Sequence, residues 1–70
     1  MKIRFIEETY IRALPKTKGN QPLGTMHLGA EIDVEPDTVK GESLEGNNQW
    51  YRDNNGWHYW SGRTEVVAPP

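Results

Sequence analysis

Prolines and glycines at Pro15, Gly19, Pro22, Gly24, Gly29, Pro36, Gly41, Gly46, Gly56 and Gly62 punctuate the chain every few residues. Between them there is no room for a helix of ordinary length: proline removes a backbone donor, and glycine gives up the most backbone entropy in a helix interior. Short strands are the alternative, and the side-chain pattern fits them. Residues 2–6 alternate with Ile3 and Phe5 on one face, and residues 9–14 set Tyr10 and Arg12 opposite Ile11 and Ala13. Residues 30–35 are the cleanest case, with Ile32 and Val34 facing in and Glu31, Asp33 and Glu35 facing out.

The stretch QWYRDNNGWHYW, residues 49–60, holds five of the seven aromatic residues and reads as a hairpin. Asn55-Gly56 is a strong signal for a two-residue turn, because both central positions need positive φ. That loop predicts Asn54 opposite Trp57, Arg52 opposite Tyr59 and Tyr51 opposite Trp60. Trp50, Arg52, Trp57 and Tyr59 would then share one face, and Tyr51, Asp53, His58 and Trp60 the other. A loop that used Asn54 differently would shift the pairing by one and exchange partners across the faces. Residues 14–24 and 36–48 read as two long polar connections, a length that compact domains seldom carry without a functional use.

Seventy residues make one domain whose core is marginal, so every large apolar side chain is first a structural candidate. There is no cysteine and there are two histidines, His27 and His58, 31 positions apart. Disulfide staples are therefore closed to the chain, and neither a metal site nor any cofactor is expected. A net charge of −2 provides no field to gather phosphate backbones, so nucleic acid is not an expected partner. No apolar run approaches the roughly 20 residues of a membrane span, so no membrane partner is expected either. The charges are unevenly placed, with Arg12, Lys16 and Lys18 early and Glu31, Asp33, Glu35, Asp37, Glu42 and Glu45 in the middle. Serines and threonines sit in no elbow or triad context, and the glycines form no phosphate loop, so no catalytic residue is assigned.

The order of signals resembles the bacterial SH3-like domain family, a module common in cell-wall hydrolases. Residues 9–15 (TYIRALP) stand in the place of the family's opening asparagine-valine-arginine-serine-glycine-proline. Residues 22–35 (PLGTMHLGAEIDVE) stand in the place of its isoleucine-glycine-threonine, lysine-glycine and valine-threonine-valine run. Trp50-Tyr51-Arg52 matches its tryptophan-tyrosine-lysine, and Gly56-Trp57 opens its glycine-tryptophan-valine close. Asp53 departs from the pattern, standing where the family has a core valine. The resemblance implies an all-β fold, a small SH3-like barrel of about five short antiparallel strands over residues 1–66. Residues 67–70 then begin a linker or a cut chain end. It also implies a monomer that acts as a non-catalytic targeting module of a larger bacterial protein, at the cell envelope or outside the cell.

Two faces of one strand cannot both be core, so at least one of Trp57, Tyr59 and Trp60 should be exposed. The expected binding residues are Tyr10, Trp57, Tyr59 and Trp60 as an aromatic shelf, with Glu42 from the acidic second connection. Their partner would be a short extended peptide such as a cell-wall peptide. The alternative partner is the parent protein's own neighbouring domain, an attached hydrolase against which the shelf would pack.

Overall fold

The strands that this punctuation permits are short. In the computed structural model, which describes residues 1–68, they are β1 (Lys2–Phe5), β2 (Thr9–Ile11), β3 (Gly24–Met26), β4 (Glu31–Asp33), β5 (Val39–Leu44), β6 (Asn47–Arg52), β7 (His58–Trp60) and β8 (Thr64–Val66). One turn of 3-10 helix, Ser61–Arg63, joins β7 to β8. The chain is therefore all-β, as its sequence predicts. It divides into more and smaller strands than the expected five or so, arranged as antiparallel sheets in the orders β4-β1-β8, β2-β3 and β5-β6-β7. Arg12 and His58 exchange backbone hydrogen bonds of 3.1 and 2.7 Å, which ties β2 to β7.

The second connection is a correction. Much of residues 36–48 is strand β5, which turns into β6 through Glu45 and Gly46, both at positive φ (52° and 82°). Leu44 pairs with Asn47 around them, a two-residue hairpin of the type whose twist suits the flanking strands. An irregular register between Lys40 and Leu44 breaks the alternation that would have revealed the strand.

Ile3, Phe5, Val34 and Tyr59 form the core, with Ile11, Met26, Ala30, Ile32 and Tyr51 packed around them. Each fully buried side chain of this size contributes about 1.5–3 kcal/mol. The inward face of residues 30–35 is the one that the alternation predicts. Arg4, on the outer face of β1, bonds Glu31 of β4 at 3.0 Å and Glu65 of β8 at 2.8 Å, spanning its sheet. These contacts hold the Arg4 guanidinium more firmly protonated, the bond to Glu65 first and that to Glu31 next. Val67 still donates to Lys2 O at 2.9 Å. Of the expected linker, Pro69 and Pro70 lie outside the described residues.

Candidate functional site: an aromatic groove under the first loop

The aromatic hairpin turns through three residues, not two. Asp53 N donates to Trp57 O at 3.0 Å and Gly56 N donates to Asp53 O at 3.1 Å, leaving Asn54, Asn55 and Gly56 as the loop. Gly56, at φ 82°, supplies the left-handed residue such a loop requires. The Asp53 carboxylate fixes this choice: Oδ1 accepts from Asn55 N at 2.9 Å and Trp57 N at 3.0 Å. Oδ2 accepts the Tyr59 hydroxyl at 2.7 Å.

The extra loop residue shifts the register by one. Trp50 lies opposite Trp60, Tyr51 opposite Tyr59 and Arg52 opposite His58. Trp50, Arg52, His58 and Trp60 therefore share one face, and Tyr51, Asp53, Trp57 and Tyr59 the other. This corrects the shelf. Tyr59 is a core residue, 3% exposed, with its ring 5.6 Å from that of Phe5 and tilted 56° to it. Burial, and next the bond to Asp53, push the Tyr59 hydroxyl pKa well above its ordinary value. Trp57 is 40% exposed but lies at the hairpin's turn, apart from the groove residues.

On the other face Trp60, 7% exposed, lines a groove of about 170 Å³, with Trp50, 1% exposed and almost wholly covered, as its floor. Thr9 and Tyr10 of β2, Arg12, Thr17 of the first loop, Leu44 of β5 and Arg63 of the 3-10 turn complete its walls. Both indoles are fixed through their N–H groups: Trp50 Nε1 donates to Glu42 O and Trp60 Nε1 to Asn47 O, each at 3.0 Å. Trp60 also lies so close over Gly62 that a Cβ there would meet its ring, which explains a glycine in that turn. Tyr10, 51% exposed, is the open wall. Of the expected site, the fold thus brings Tyr10 and Trp60 together and leaves Trp57 and Tyr59 out.

Glu42 is not among the groove residues and bonds within the fold instead. Its carboxylate accepts from Thr17 Oγ1 at 2.6 Å and Thr17 N at 3.2 Å, pinning the first loop to β5. The Thr17 hydroxyl bond, then its amide, draws the Glu42 carboxyl below its ordinary pKa. Of residues 14–24 all but Gly24, which opens β3, are a true loop, held by Asn20, whose Nδ2 donates to Leu14 O at 3.0 Å and to Lys16 O at 2.7 Å.

Composition gave no signal for Arg12 and Arg63, since charges on a small domain are mostly solvated. The Arg12 guanidinium lies 5.2 Å from the Tyr10 ring centroid and that of Arg63 lies 5.9 Å from that of Trp60. Such stacking favours a cation over a ring face. Leu44 and Thr17 were hidden because their segments read as loops. The histidines lie apart: His27 is exposed with Nδ1 3.6 Å from Glu8, while His58 is buried with Nδ1 3.0 Å from Ala13 O. Comparison with family models, with curated proteins and with solved structures finds no match to this chain.

Proposed function

We propose that the chain is a non-catalytic binding module of the bacterial SH3-like kind, which holds a short extended peptide, such as a cell-wall peptide, in the groove of Tyr10, Leu44, Trp50 and Trp60. The observation that carries this reading is a preformed aromatic groove beside the first loop. Its two indoles are already immobilised by backbone hydrogen bonds. Rings fixed in advance lose little entropy when a ligand docks, which is the chief use of preorganisation. The resemblance sets the ligand beside this same loop. One shallow groove offers few buried anchors, so binding at high micromolar to millimolar concentration is expected. Titration with peptidoglycan fragments should move the indole N–H resonances of Trp50 and Trp60 and leave that of Trp57 in place. Unmoved indoles at millimolar fragment would sink the reading.

A second reading is favoured by Ile6 and Leu28, both exposed, each one position from the Gly29 N to Phe5 O bond of 2.8 Å. Exposed apolar side chains near one another in the fold suit packing against an attached enzyme domain. In a full-length protein, Leu28→Ser should then alter the enzyme's stability or fidelity while Trp60→Ala does not; the reverse result favours the groove.

A further inference from the structure

The four arginines of the chain divide into two pairs. Arg4 is bonded to Glu31 and Glu65, and Arg52 lies 3.3 Å from Glu35. Arg12 and Arg63, the two that line the groove, have no carboxylate within ion-pair distance among the described residues. Each is held by one hydrogen bond to a backbone carbonyl, Arg12 to Asn20 O at 2.7 Å and Arg63 to Glu8 O at 3.0 Å, and each lies over a groove ring. A guanidinium has five N–H donors, so most remain free on both. Of the nearby acids, Glu42 is engaged by Thr17, while Glu8, exposed and 3.6 Å from His27, lines the adjoining hollow with Arg63. In a chain with ten acidic residues, leaving both groove arginines without one opens the groove to an outside anion. The planar fork of a guanidinium matches a carboxylate in geometry as well as charge.

Building on the groove reading above, we propose that the groove takes the C-terminal end of a peptide, with the terminal carboxylate between Arg12 and Arg63 and a small last side chain against Trp50, Trp60 and Leu44. A groove of about 170 Å³ has room for one alanine-sized residue with its carboxylate. The basic, proline-rich peptides that acidic SH3 loops attract are the wrong charge for this groove.

The test is an amide NMR titration of the 70-residue chain with three probes: acetyl-Ala-Ala-Ala with a free carboxylate, the same peptide as its C-terminal amide, and acetyl-Ala-Glu-Ala amide. The free acid should shift the Trp50 and Trp60 indoles, and both amides should bind at least tenfold more weakly. Added salt should weaken the acid, and Arg63→Gln should erase the difference between acid and amide while Arg4→Gln preserves it. Equal binding of acid and simple amide would overturn the carboxylate and leave the groove reading standing. Equal binding of the acid and the glutamate peptide would overturn the terminal source. No indole shift with any of the three probes would overturn the terminal-carboxylate proposal, while the groove reading stands or falls with the peptidoglycan-fragment titration.

Discussion

The carboxylate of Asp53 joins the hairpin loop to the core: one oxygen accepts the Tyr59 hydroxyl at 2.7 Å and the other accepts the loop amides of Asn55 and Trp57. A buried carboxylate is tolerated here because three donors surround it.

Asp53→Ala should therefore destabilise the domain by about 2–3 kcal/mol, since it leaves the buried Tyr59 hydroxyl and two part-buried loop amides without their acceptor. Urea unfolding measures it. Tyr59→Phe should cost less, because only one donor is lost. A cost below about 0.5 kcal/mol for Asp53→Ala would leave the register to the loop residues alone.

Tyr59 also predicts behaviour in alkali. Its folded pKa is raised above the ordinary value of 10.0, so its contribution to stability is complete below that value and is lost as pH climbs above it. Thermal melts at about pH 9 and pH 11 should show a steeper loss for the native chain than for Tyr59→Phe. Equal slopes would exclude this hydroxyl as the cause.

Glu42 predicts the opposite limb. Its folded pKa is depressed below 4.5, so the tie to Thr17 is present above that value and released as pH falls through the lower folded one. On acidification below about pH 4.5, the Thr17 amide resonance should move together with those of the first loop. Thr17→Val should abolish the concerted movement. Independent titration of the loop amides would contradict the tie.

Gly62→Ala should push the Trp60 ring out of its seat, because the new Cβ has no space beneath it. The expected cost is about 1–3 kcal/mol, with loss of peptide binding. Binding that survives with native affinity would show that Trp60 is not a wall of the working groove.

The fold class was legible because Pro and Gly spacing and the alternation of Ile32 and Val34 act locally. The site was legible only in part. One residue of loop length, Asn54, decides whether Tyr59 faces a ligand or the core, and that choice belongs to the Asp53 side chain, which a turn dipeptide does not register. β5 was hidden by its own irregularity, and with it Leu44. Arg12 and Arg63 became visible only once the arginines could be divided by who their partners are.

The Arg4 clamp between Glu31 and Glu65 joins positions 61 apart in sequence, whereas Trp50 and Trp60 meet only ten apart. Closing the longer loop costs about 1.6 kcal/mol more in chain entropy. The β5-β6-β7 meander should therefore assemble early and the β4-β1-β8 sheet last, giving high transition-state φ-values at Trp50 and Tyr59 and low ones at Ile3 and Val66. The reverse order would contradict this. On this route the indole floor of the groove is laid down first, and the pairing of the chain's two ends locks it in place.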